Sequence, residues 1–138
     1  MNSSEIASFL KERVGAFRGF PAEQLPAILH AADVGLSPSR FETFHRVTRE
    51  YLSAGLPVIG STAFGIPDVV RSGENGILFE PGDVEEFRRA VLSVLDDRAY
   101  LARLTAGARA TRIRTKAEEI DDLAAEYNAI VSTPAGAD

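Results

Sequence analysis

Three short apolar runs, VGLS (34–37), PVIGS (57–61) and ILFE (77–80), punctuate the middle of the chain, and each closes on a polar or turn-forming residue. Each is too short for a helix and too continuously apolar to keep one face in water. Runs of that kind, bounded by turn signals, read as strands buried on both faces. The stretches around them carry helical periodicity. Strands buried on both faces and joined through helices pair in parallel, because a crossover connection needs a dozen residues or so and a helix supplies them. A further run, VGAF (14–17), closed by Arg18-Gly19, reads the same way. The expected fold is therefore α/β, a Rossmann-like parallel sheet of about four short strands covered by helices, in one domain over residues 1–138.

The helical segments follow from spacing and caps. Ser4 to Arg13 places Ile6, Phe9 and Leu10 on one side. PAEQLPAILHAA aligns Leu25, Ile28, Leu29 and Ala32 and turns His30 to solvent; Pro26 is tolerated in a first turn. A helix from about Phe44 to Ala54 is stopped by Gly55. Asp83 caps the next, whose expected buried stripe is Val84, Phe87, Val91, Val94 and Leu95. A further helix spans Asp97 to about Ala110, with Tyr100, Leu101 and Leu104 inward. Thr115 and Glu118 form a capping box before the last helix. That helix carries Ile120, Leu123, Ala124, Tyr127, Ile130 and Val131 on one face, which reads as core or as a docking face for another domain.

Composition narrows the function. The net charge is −5, so generic attraction to nucleic acid or anionic lipid is disfavoured. Cysteine is absent, which removes disulfides and thiolate metal sites. No apolar run reaches the length of a membrane span, and the N-terminus has no signal-peptide pattern, so a cytoplasmic, reducing setting is the default expectation.

In an open parallel sheet, ligands sit beyond the carboxyl ends of the strands. The loop after VGLS, SPSRFETFHRV, runs from such an end into a helix N-terminus. There the backbone N–H groups of Phe44, His45, Arg46 and Val47 can hold an anion, assisted by the helix dipole. Glu42, before the turn, would repel a bare phosphate but can accept hydrogen bonds from sugar hydroxyls. Glu50 lies about one turn inside the helix. At ~1.5 Å per residue it stands roughly 6 Å from the anion position, where a ribose attached to a diphosphate would lie. Sugar, diphosphate and ribose thus map onto Glu42, the helix amides and Glu50 in order, which points to a nucleotide-sugar.

At these residues a resemblance becomes specific. PS-x-x-E, seven residues, E, then A-G-x-P-V-I-G-S, then G-I-P-D-V-V-x-x-G-x-N-G-I-L-F-x-P-G-D resembles the C-terminal half of retaining glycosyltransferases of the GT-B fold, and within them glycosyltransferase family four, the glycosyl transferases group 1. The resemblance covers about Val14 to Val131. It implies transfer of a sugar from a UDP- or GDP-sugar with retained anomeric configuration, in polysaccharide or glycolipid synthesis, with no cofactor and no protein-bound metal. It gives Glu42 the donor sugar, as the catalytic carboxylate, and Glu50 the ribose hydroxyls. His45 stands where the family usually has glycine. The family's C-terminal domain opens with two further strands, the first bringing a glycine-rich turn and a basic pair for the diphosphate; neither is evident here, and nor is the acceptor domain. The chain accordingly reads as a partial GT-B C-terminal domain, truncated on its N-terminal side and inactive alone. Its expected partners are the nucleotide-sugar and an acceptor domain or complementary chain, with VGAF pairing beside VGLS or a homodimer covering that edge.

Other readings stand beside these. Glu42 can simply cap a helix and Glu50 can be solvated. His45 reads as an exposed loop histidine. The acidic group Glu118, Glu119, Asp121 and Asp122 spreads around a helix as a solvated face. Arg109, Arg112, Arg114 and Lys116 read as helix-end charge. The rival to an enzyme part is a non-catalytic nucleotide-binding or assembly module that completes a split glycosyltransferase.

Overall fold

A computed structural model describes residues 19–41 and 43–132. The chain divides into two units, Met1–Ala32 and Asp33–Asp138. The described part of the first is a 3₁₀ turn, Ala22–Gln24, running into helix α1, Leu25–His30. Pro26 sits in the first turn of α1, where its missing N–H costs nothing. Leu29 is buried and His30 exposed, as the periodicity predicts.

The second unit carries the sheet. Its elements are β1 (Gly35–Ser37), α2 (Arg46–Ser53), β2 (Val58–Ser61), β3 (Gly76–Phe79), α3 (Val84–Asp96), α4 (Arg98–Ala110) and α5 (Lys116–Ser132). The strands are parallel in the order β1-β2-β3, with Leu36 opposite Ile59 and Ile59 opposite Ile77. Every residue of the central strand β2 is buried, as its unbroken apolar run requires. The expected strand VGAF, and with it the pairing of VGAF beside VGLS, lies outside the described residues. Among the described residues no helix is long and apolar enough to cross a membrane.

The sheet separates two apolar clusters. On one face Val58 meets Leu52 of α2, Ala63, Ile66, Val70 and Ala108; on the other Ile59 and Phe79 meet Ala90 and Val94 of α3 and Leu104 of α4. The split follows from side chains alternating along β2. Helix α2 ends in a Schellman turn: Gly55, at φ +77°, donates to the Leu52 carbonyl, and the Leu56 amide donates to that of Tyr51. Glycine is needed there because the residue must be left-handed.

Caps behave as the sequence predicts. Asp83 accepts from the Glu86 amide at 2.8 Å, and Asp97 from the Tyr100 amide at 2.9 Å. Thr115 and Glu118 form the reciprocal box: the Glu118 carboxylate accepts from the Thr115 amide, and the Thr115 hydroxyl accepts from the Glu118 amide.

Two burial patterns differ from expectation. In α3 Ala90 and Val94 are buried with Phe87 and Val91 half-buried beside them, whereas Val84 and Leu95 are exposed. At 100° per residue those two fall together on one flank of the stripe. In α5 no residue is buried: Ile120, Leu123, Tyr127, Ile130 and Val131 all stand open, so within this unit the face is not core.

Candidate functional site

The loops at the carboxyl ends of the three strands are drawn together by short-range contacts. Ser61, the last residue of β2, donates its hydroxyl proton to the Ser39 carbonyl in the loop after β1. Gly65 lies so close to the Thr43 carbonyl that a Cβ there would stand 2.4 Å from its oxygen, so only glycine lets these two loops meet. The rings of Phe41 and Phe64 touch edge to face at 5.1 Å, and Arg40 reaches the neighbourhood of Gly82 after β3.

Helix α2 begins later than the sequence reading places it. Phe44 precedes the helix and His45 is its N-cap, with φ +47° and ψ +66°. This left-handed geometry is the one a glycine would adopt freely, which gives a physical meaning to the histidine's place in the pattern. His45 is also not an exposed loop residue. It is 6% exposed, and its ring is built into the structure. Nδ1 accepts the Thr48 amide at 3.1 Å and the Thr48 hydroxyl as well, so in the neutral ring Nε2 carries the proton and donates it to Ser37 Oγ at 2.7 Å. The imidazole is drawn inward because Ser37, at the end of β1, offers a buried partner that no local pattern announces.

This cap decides which amides face outward. Thr48's is taken by the imidazole, and Arg49's bonds back to the His45 carbonyl at 3.5 Å. The amides of Arg46 and Val47 are the pair left in the first turn for an outside acceptor. They border a cavity of about 450 Å³ that also touches Ser37, Ser39, Thr43 and Phe44.

Glu50 is half-buried further along α2, and its carboxylate lies 3.8 Å from the Arg46 guanidinium. Together with burial, its charge pushes the neighbouring Tyr51 phenol upward from 10.0, burial being the larger cause. Glu50 opens on a second cavity, of about 480 Å³, between α2 and the segment 113–119. The two cavities share Phe44 and Arg46. The structure thus brings Phe44, His45, Arg46, Val47 and Glu50 to one place. Glu42 lies outside the described residues. The sequence reading missed Ser37 and Thr48, which hold the imidazole, and Arg49, whose guanidinium covers the Phe44 ring at 4.4 Å. The i, i+5 spacing of aromatic and arginine across a helix start was the only available signal for the last, and it is a weak one.

A parallel sheet with a helix end, two adjoining cavities and a carboxylate beyond its strands is the layout of an α/β domain that binds ligands at its strand ends. The chain belongs to the glycosyl transferases group 1, whose family model matches residues 3–97. It is 38% identical over 93 residues to the sulfoquinovosyl transferase SQD2 of Arabidopsis thaliana, covering 59% of this chain and 18% of that protein. It is 31% identical over 125 residues to a D-inositol 3-phosphate glycosyltransferase of Stackebrandtia nassauensis, covering 90% and 27%. Among solved structures it superposes on Anabaena HepE in complex with UDP and glucose with a TM-score of 0.76 at 28% identity, covering 91% of this chain and 34% of that one. It shares its fold with the C-terminal domain of the group 1 glycosyl transferase LpcC from Francisella tularensis, at a TM-score of 0.63 and 18% identity, covering 76% and 57%. The chain thus spans between about a fifth and about a quarter of the two relatives named, and its fold is that of a GT-B C-terminal domain.

Proposed function

We propose that this chain is the donor-binding portion of a retaining glycosyltransferase that takes its sugar from a nucleoside diphosphate, UDP or GDP, in polysaccharide or glycolipid synthesis. The observation that carries this reading is the position of Glu50: a half-buried carboxylate on α2, one turn beyond the outward amides of Arg46 and Val47, lining a cavity that shares Phe44 and Arg46 with the one those amides border. In this arrangement the ribose hydroxyls donate to Glu50 and a phosphate oxygen accepts from the Arg46 and Val47 amides. Glu42, from its place in the sequence, takes the donor sugar. Cleavage of the bond from the anomeric carbon to the phosphate oxygen leaves charge on the diphosphate, and amides aimed at that oxygen stabilise it. The UDP bound by HepE, at 28% identity, supports the choice of ligand class.

A second reading is a module that completes a split transferase. The exposed apolar face of α5 favours it, because a face of Leu123, Tyr127 and Ile130 is what a covering domain or chain would bury. Calorimetry of the 138-residue chain with UDP, GDP and uridine tests the ligand, and a panel of UDP- and GDP-sugars tests turnover. The expected result is nucleotide binding without transfer by the chain alone. Absence of binding to either diphosphate overturns the donor reading, and robust turnover overturns the expectation of inactivity.

A further inference from the structure

The cavity between α2 and the segment 113–119 holds four cations, Arg46, Arg49, Arg114 and Lys116, against Glu50 and Glu119, in a chain whose net charge is −5. Two of the cations are committed: Arg46 lies 3.8 Å from Glu50, and Arg114 is paired with Asp122. Among the described residues Arg49 and Lys116 show no ion pair, and Glu119 is the other carboxylate lining the cavity. Arg49 is the telling residue. Its guanidinium is held over the Phe44 ring, and its Nε is buried with no acceptor. A buried donor on a permanent cation is costly to leave unpaired, and folding would not place it there for its own sake. An oxyanion entering the cavity supplies the missing acceptor, and a guanidinium beside an ammonium matches a phosphate in both charge and geometry.

We propose that this cavity is a binding site for a phosphate-type oxyanion, held by Arg49 and Lys116 and separate from the amide end of α2. The inference rests on the charge and the orphaned donor, not on the donor-sugar reading. Two sources share the chemistry. A nucleoside diphosphate with its ribose at Glu50 would bring one of its own phosphates here, and so would a separate phosphorylated molecule.

The test is calorimetry of the whole chain with inorganic pyrophosphate, UDP and uridine, on the parent and on R49Q, K116Q, E50Q and R88Q. Arg88 serves as control because it is exposed on α3 and paired with Glu85 at 3.0 Å. Pyrophosphate is expected to bind, more weakly as salt rises. Its affinity should fall about tenfold in R49Q, the scale of a lost charged hydrogen bond, and about threefold in K116Q, where the cation is solvated. R88Q should match the parent. Competition between UDP and pyrophosphate assigns the anion to the nucleotide, and pyrophosphate binding to UDP-saturated protein assigns it to a second molecule; both support the site. Lys116 is exposed, so K116Q keeps the fold and decides the matter if R49Q does not fold. No pyrophosphate binding, or equal binding in K116Q and R88Q, overturns the proposal. Loss of UDP and uridine binding in E50Q with pyrophosphate binding intact bears on the donor reading alone, so the two can fail separately.

Discussion

His45 Nε2 lies 2.7 Å from Ser37 Oγ, tying the cap of α2 to the last residue of β1. The contact offsets a backbone conformation that an L-residue adopts at a cost of about 1–2 kcal/mol. Replacing His45 with alanine keeps that cost and removes the bonds to Thr48 and Ser37, leaving a buried hydroxyl short of a partner. H45A should lose roughly 2–4 kcal/mol. H45G loses the same bonds but relieves the backbone, so it should be more stable than H45A by about 1 kcal/mol. Urea denaturation of the three proteins measures this; an H45A midpoint equal to the parent's would show that the imidazole network adds nothing.

Glu50→Ala and Glu42→Ala should separate nucleotide affinity from turnover. Loss of hydrogen bonds from ribose to a carboxylate costs roughly 1.5–3 kcal/mol, so Glu50→Ala should weaken binding of free nucleoside diphosphate tenfold or more. Glu42→Ala should leave that binding nearly unchanged and, in a protein that carries the acceptor domain, reduce turnover. Equal loss of nucleotide affinity in both variants would refute the division of roles.

Asn75→Ala should destabilise the unit by roughly 2–4 kcal/mol. Asn75 is 1% exposed; its Oδ1 accepts from the Arg71 amide at 2.7 Å, and its Nδ2 donates to the Val69 carbonyl and Thr111 hydroxyl at 2.9 Å each. No other residue can take over all three bonds, and a melting temperature within one degree or so of the parent's would contradict this accounting.

The Glu118 carboxyl is held down to about 2 from its ordinary 4.5, first by the Thr115 amide, then by Arg112 and the Thr115 hydroxyl. A depressed carboxyl contributes to the folded state above its unfolded value, and that contribution is lost as pH falls through the folded one. The start of α5 should therefore loosen between about pH 4.5 and about pH 2, and E118Q should show little of this dependence. The Thr115 amide resonance reports it directly; a midpoint near 4.5 would mean the cap is not formed in solution.

Much of this molecule is written in short-range pattern. Runs such as VIGS are too short and too apolar for anything but buried strands, and their separation by helices forces a parallel sheet. Asp83, Asp97 and the pair Thr115–Glu118 cap helices through amides three residues away, so the sequence alone identifies them. The cluster of Phe44, His45, Arg46, Val47 and Glu50 was also legible, because a strand end, a turn and a helix start follow one another along the chain.

Other features depend on what comes near from elsewhere. His45 looked like a loop residue until Ser37 supplied a buried partner across the turn. Val84 and Leu95 carry apolar side chains on one flank of the α3 stripe, but α3 packs so that both face water. The apolar side of α5 was as consistent with core as with docking, and only the structure shows it uncovered among the described residues. The Nε of Arg49 is buried without an acceptor among the described residues, on a side chain that covers the Phe44 ring and shares a cavity with the segment 113–119. Periodicity and capping act over three or four residues and are fixed by the chain itself. Burial, and the pairing of polar groups across elements, are fixed by which surfaces the tertiary structure presses together.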